Sequence, residues 1–192
     1  MADFSVAYEK TMGHEGGYVN DPDDAGGETY KGISRVYNPS WSGWAIIDIA
    51  KGEPNFPDSL ESNMELQESV GLFYKDKYWD VNRLDEDTFA QSVGEEMFDT
   101  GVNMGVSRAG KFLQKSLNYL NRNGDLYDEL VVDGKIGPAS LDALAKCAND
   151  ETVLMSMLNT LQGQHYMNYM DDSPSQKKYA RGWFKRVKYC AC

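Results

Sequence analysis

Between His14 and Ser34 the chain reads HEGGYVNDPDDAGGETYKGIS, with Glu15 against two glycines, then Asp21, Asp23, Asp24 and Glu28, and Thr29 directly after the last acid. Paired carboxyl groups with opposite duties cut glycosidic bonds. A protonated one serves the leaving oxygen, and an ionised one holds water or stabilises an oxocarbenium-like transition state. The two need different environments. Phe4, Ala7, Tyr8 and Thr11 recur at helical spacing, so residues 3–14 read as an amphipathic helix that Gly16 and Gly17 stop. That puts Glu15 at a helix C-terminus, where the negative end of the macrodipole disfavours a carboxylate and raises its pKa toward that of a general acid. The ionised partner is sought among Asp21, Asp23, Asp24 and Glu28. Asp24 is favoured because a turn can return it across a cleft, and Thr29 is placed to orient a water. The glycines allow close backbone approach to a sugar, to which Tyr18 and Tyr30 can offer ring faces.

Other chemistries fare worse on the same residues. A glutamate before two glycines is also what a solvated helix end looks like. With Asp21 as first ligand of a calcium loop, Ala25 falls at the fifth position and Gly32 at the twelfth. An EF-hand needs oxygen ligands at both, so only a looser cation site survives. GGETYKG lacks the spacing of a phosphate loop. His14 and His165, the only histidines, sit in neither H-E-x-x-H nor G-x-S-x-G, which leaves zinc hydrolysis and serine catalysis without support. We expect no metal and no cofactor.

The rest of the chain reads as mostly helical. Asn20-Asp21-Pro22 and Gly26-Gly27 are turn chemistry, after which TYKGIS is short enough for one small strand, so a β-hairpin is expected near the N-terminus. Residues 38–57 read as loop, a lid or groove wall carrying Trp41 and Trp44. From Met64 onward helical patterns follow one another: MELQESVGLFYKDKYW, DTFAQSVGEEMFDTGVNMG, SRAGKFLQKSLNYLNRNG, GPASLDALAKC, ETVLMSMLNTLQGQHYMNYM and SQKKYARGWFKRVKY. No repeat of 20 to 50 residues appears. Asp99 and Asn103 lie four apart on one helix face, either on a cleft floor where they bind sugar hydroxyls and acetamido groups, or as an N-cap and an i,i+4 pair. Tyr74, Tyr78 and Trp79 read as core.

A chain of 192 residues, 41% hydrophobic, can bury one compact domain or two small ones sharing a core. Its net charge of −11 is uneven: residues 1–100 sum to −14 and residues 101–192 to +3. The acidic half has no basic stripe for phosphates, which argues against nucleic acid. The tail from Lys177 to Lys188 carries six cations and no acid among aromatic residues, either a solvated amphipathic helix or a surface for an anionic polymer. No basic start followed by an apolar run opens the sequence, and no stretch approaches the roughly 20 apolar residues of a membrane span, so neither a signal peptide nor stable membrane insertion is expected. Three cysteines, Cys147, Cys190 and Cys192, make no disulfide framework and fit reduced thiols in a cytosolic product.

The stretch EGGYVNDPDDAGGETYKGIS, with FYKDKYW and FDTGVNMGVSRAGKFLQ downstream, resembles glycoside hydrolase family 108, N-acetylmuramidases that include phage-type endolysins and proteins labelled secretion activators. VVDGKIGPASL and RGWFKRV resemble the C-terminal region predicted to bind peptidoglycan in the same proteins. Together these blocks span most of residues 4–189. The resemblance implies a mainly α, lysozyme-like helical fold with a small N-terminal β-hairpin and a C-terminal helical subdomain. It implies a muramidase region over residues 1–106 and a peptidoglycan-binding-like region over 107–192, packed on the same core. It further implies hydrolysis of the β-1,4 bond between N-acetylmuramic acid and N-acetylglucosamine, with the glutamate of E-G-G-Y, here Glu15, as the catalytic one. The order Glu, Asp, then Thr before Gly-Ile is similar to other phage lysozymes and lends support to Asp24 and Thr29. Ala25 departs from the proline of many relatives. The expected partner is the glycan strand of peptidoglycan, met by a monomer made in the cytoplasm and released by lysis or holin-type export. Rival expectations are a lytic transglycosylase, which works with one glutamate, and a non-catalytic wall-binding or secretion-assisting module.

Overall fold

The computed structural model describes residues 1–12, 16–21 and 26–187. The chain is mainly helical with one small antiparallel sheet, opens on α1 (Phe4–Met12), and divides into two compact units: Tyr8–Lys77, and Met1–Ala7 together with the chain from Tyr78 onward. Among the described residues no helix is long and apolar enough to cross a membrane.

In the unit formed by Tyr8–Lys77, β1 (Tyr18–Asn20) pairs with β2 (Glu28–Tyr30), which pairs with β3 (Ile33–Ser34). TYKGIS is therefore two strands and not the single strand its length suggests. Tyr30 pairs with Ile33 across the two-residue loop Lys31-Gly32, whose φ values of 43° and 77° are both positive, as a type I′ hairpin turn requires. The stretch read as loop contains α2 (Gly43–Ala50). Its run W-A-I-I-D-I-A buries Trp44 and Ile47 on one side, so Trp44 is core and not the wall of a groove. The indole of Trp41 packs on Trp44 and Phe73 at centroid distances of 5.1 and 6.1 Å. One-turn α3 (Ser59–Ser62) and α4 (Met64–Tyr74) complete the unit. The Asn63 side chain caps α4 by accepting from the Leu66 amide at 3.0 Å, which satisfies one of the orphan donors of a helix start. A π-turn, Lys75–Trp79, continues α4.

In the other unit α5 (Gln91–Met104) and α6 (Val106–Leu120) meet at Gly105, whose φ of 94° suits glycine. They pack with α8 (Glu151–Asp172) around Met97, Phe98, Leu113, Leu117 and Leu158. Phe4, Trp79 and Phe98 form an edge-to-face triad with centroids 5.5 to 5.9 Å apart, so Trp79 is core as the sequence indicates. α7 (Pro138–Lys146) starts on its proline and follows the D-G-K-I-G loop. That loop lies backbone to backbone on α6: a Cβ on Gly110 would sit 2.5 Å from the Gly134 carbonyl oxygen. The buried Gln114 side chain fastens it, accepting from the Gly134 amide at 2.7 Å and donating to Asp133 and the Lys135 carbonyl. The basic tail is not one continuous helix. It forms a 3-10 stretch, Pro174–Tyr179, and a single turn, α9 (Ala180–Trp183), after which residues 184–187 are turn and bend.

Candidate functional site

Of the acid-rich stretch, Glu15, Asp23 and Asp24 lie outside the described residues, as do His14 and the terminal Cys190 and Cys192. The strands around them are described. The register of β1 and β2 pairs Tyr18 with Tyr30, Val19 with Thr29 and Asn20 with Glu28. Side chains alternate across a strand, which puts Tyr18 and Glu28 on one face as diagonal neighbours. The Tyr18 hydroxyl donates to Glu28 Oε1 at 2.9 Å, and its ring lies edge-on to Phe56 at 4.8 Å.

Glu28 does not stand ready to carry a proton. Arg35 Nη1 lies 2.8 Å from its Oε2 and Lys51 Nζ lies 2.7 Å from its Oε1. Burial by itself raises its pKa, but the hydrogen bonds from Lys51, Arg35 and Tyr18 outweigh that and hold the carboxyl below the ordinary glutamate range. The same two cations meet Asp48 of α2, Arg35 through two hydrogen bonds at 2.7 and 2.8 Å and Lys51 at 2.8 Å. Asp48 is held well below the usual carboxylate range by these bonds, chiefly that from Arg35. The result is a four-charge cluster tying β2 to α2. Glu28, one of the four candidates for the ionised partner, is thus held ionised and also anchors the hairpin to α2. Sequence reading missed Arg35, Asp48 and Lys51. The signal was present in the i,i+3 spacing of Asp48 and Lys51, but only to a reader who had already placed a helix there.

Thr29 donates from Oγ1 to the Gly27 carbonyl at 3.1 Å, which leaves the hydroxyl oxygen to accept from a water. Gly27 is at a φ of 59°, a conformation that suits glycine, and a Cβ there would press on Val36. Tyr30 departs from expectation. It is 1% exposed, its hydroxyl donates to the Leu60 carbonyl and accepts from Gln67 Nε2 at 2.8 Å, and its ring face is not available to a sugar. The strand turns it inward because Ile33, its cross-strand partner, faces the same core.

Asp99 and Asn103 belong to the other unit, on α5. Asn103 Nδ2 donates to the Asp99 carbonyl at 2.8 Å and to Asp99 Oδ1 at 3.4 Å, so the two do form an i,i+4 pair. Asp99 is engaged further by Arg186 Nη1 at 2.7 Å and by Gln162 Nε2 at 3.3 Å, which ties α5 to α8 and to the tail. Asn103 is exposed and lines a pocket of about 370 Å³ with Arg108, His165, Tyr166, Tyr169 and Trp183. Tyr166 stacks on Trp183 with centroids 5.1 Å apart. Among the described residues no group of three or more His, Cys, Asp or Glu side chains could hold a metal ion.

Comparison with known proteins agrees with a carbohydrate-active assignment. The model of the family glycosyl hydrolase 108 matches residues 8–105, and that of a predicted peptidoglycan domain matches residues 108–188. No curated protein sequence matches the chain significantly. Among solved structures, SagA of Brucella abortus is similar, with a TM-score of 0.58 over 96% of this chain and 88% of that one, at 24% identity, a likeness of fold alone. With the acid-rich hairpin and more than half of the sequence inside the first of these matches, the chain belongs to the glycosyl hydrolase 108 family.

Proposed function

We propose that the chain is an N-acetylmuramidase that hydrolyses the β-1,4 bond between N-acetylmuramic acid and N-acetylglucosamine in peptidoglycan. Glu15 is the general acid, Asp24 is the ionised partner, and Thr29 helps to hold the attacking water. The observation that carries this reading is the family match over residues 8–105, which contains the E-G-G-Y motif and the whole acidic loop. Two features of the hairpin support the assignment of roles. Glu28 is already engaged by Arg35 and Lys51, which supports Asp24 over Glu28 as the carboxylate that faces the water. Thr29 follows Glu28 on the opposite face of β2, with a hydroxyl oxygen able to accept from water. In this reading a monomer made in the cytoplasm meets the wall after lysis or holin-type export, and the C-terminal region aids adhesion to the polymer.

Digestion of purified peptidoglycan followed by mass spectrometry of the products tests it. Fragments ending in a reducing N-acetylmuramic acid are expected. Anhydro sugars would make the chain a lytic transglycosylase, and no products would make it a binding module.

A further inference from the structure

Arg108, Lys111 and Lys115 lie on α6 at spacings of three and four residues, which aligns them along one helix face over about 10 Å. They line three depressions that share residues: one of about 370 Å³ with Arg108, His165 and Trp183, one of about 320 Å³ with Arg108 and Lys111, and one of about 200 Å³ with Lys111, Lys115 and His165. The shared residues join the three into one groove. All three cations are exposed, and among the described residues none meets a carboxylate. Arg108 donates to the Met104 carbonyl, and Lys115 lies over the Tyr119 ring. Arg35, Lys51, Lys146 and Arg186 are by contrast each paired with an acid. In a chain of net charge −11 an unneutralised row of this kind favours an anionic partner.

We propose that this groove binds the carboxylate-bearing peptide arms of peptidoglycan and not its sugar chain, an inference that rests on the peptidoglycan reading above. In peptidoglycan the lactyl carboxyl of a peptide-bearing N-acetylmuramic acid is taken up in the amide bond to its arm and N-acetylglucosamine is neutral, so a row of cations gives that sugar chain nothing that neutral hydrogen-bonding groups would not. An extended peptide advances about 3.3 to 3.6 Å per residue, so carboxylates two or three residues apart span about 7 to 10 Å, the reach of the Arg108 to Lys115 row. His165 adds a hydrogen-bonding group without a further charge. Its imidazole stacks on Tyr169 at 6.5 Å, and burial, then the nearby Arg108, push its pKa below the ordinary histidine value, which leaves it neutral at pH 7. Tyr169 and Trp183 provide apolar walls for the aliphatic parts of the arm.

The test is calorimetric titration of the full chain with peptide arms released from peptidoglycan by an amidase, at low and high salt. Binding that weakens with salt is expected. The surface double variant Lys111→Gln with Lys115→Gln, its fold checked by thermal melting, should bind about tenfold more weakly, the loss of charge-assisted hydrogen bonds. The charge-keeping variant Lys111→Arg with Lys115→Arg should restore most of the affinity. Absence of peptide binding by the parent chain, or equal binding by the folded Gln variant, would overturn the proposal. So would binding of uncharged N-acetylglucosamine oligomers that the Gln variant abolishes. Release of reducing ends from peptide-free strands by the parent chain reports the hydrolase reading separately. If those ends appear while peptides fail to bind, the groove proposal alone is wrong. If peptides bind as expected while no ends appear, the groove stands and the hydrolase reading falls.

Discussion

Glu28 and Arg35 form an ion pair at 2.8 Å that reaches across the β2 to β3 hairpin, and Lys51, directly after α2, closes on the same carboxylate at 2.7 Å. The Glu28 side chain is 12% exposed, so the charges that surround it are only partly screened by water. Through these partners Glu28 ties β2 to α2.

Glu28→Gln should lower stability by about 1–3 kcal/mol at pH 7, because Arg35 and Lys51 lose a half-buried acceptor. The folded-state pKa of Glu28 lies below its unfolded value. Its stabilising effect is thus fully present above the unfolded pKa of about 4.3 and is lost as pH falls through the folded value. Thermal melts of the two proteins should differ at neutral pH and converge in acid. Where both are folded, turnover should stay within about tenfold of the parent. A loss of the 10² to 10⁴ scale typical of a proton-transfer group, with the melting temperature unchanged, would return Glu28 to the chemistry.

Gly110→Ala should destabilise the protein by about 1–3 kcal/mol or more, since the new methyl would meet the Gly134 backbone at 2.5 Å and a main chain fastened by Gln114 has little room to give. A melting temperature within error of the parent would mean that the D-G-K-I-G loop can move away from α6.

Tyr30→Phe tests the inward placement of that ring. Losing the hydrogen bonds with Leu60 and Gln67 should cost about 1 kcal/mol of stability. KM for wall fragments should not change. A raised KM with an unaltered melting temperature would put Tyr30 back against the substrate.

The sequence made the helical patterns from Met64 onward readable, because their apolar residues recur at helical spacing and glycines and prolines separate them. The acidic stretch was readable as a candidate site because so many carboxyls, glycines and a threonine are unusual company. What was not readable depended on partners distant in sequence. Lys31-Gly32 looks like strand until its two positive φ values make it a turn. Residues 43–50 look like loop because prolines and glycines flank them, and it is the burial of Trp44 and Ile47 that makes a helix there worthwhile. Tyr18 and Tyr30 pair across β1 and β2 on one face of the sheet, and it is the packing of Leu60 and Gln67 on Tyr30 that buries one and not the other. Glu28 is one of four similar acids until Arg35 and Lys51 arrive from other elements.

Among the remaining acids, Asp24→Asn should cost more activity than Asp21→Asn or Asp23→Asn. With Asp24 and Thr29 activating a water opposite the acid, hydrolysis should invert the anomeric centre, the geometry in which the two carboxyls stand roughly 6.5 to 9.5 Å apart. Rapid NMR of the first product from a defined muropeptide should show the α-anomer. Initial β-anomer would mean retention and a nucleophilic or ion-stabilising carboxylate in place of a water-activating one.

The most direct measurement is the rate at which Glu15→Gln releases reducing N-acetylmuramic acid ends from purified peptidoglycan, beside the parent chain. The amide is nearly isosteric but has no proton to donate, so the variant should melt at the parent's temperature and turn over 10² to 10⁴ times more slowly. A folded variant that releases reducing ends at near the parent's rate would contradict the account, because Glu15 would then not be the acid that cuts the strand.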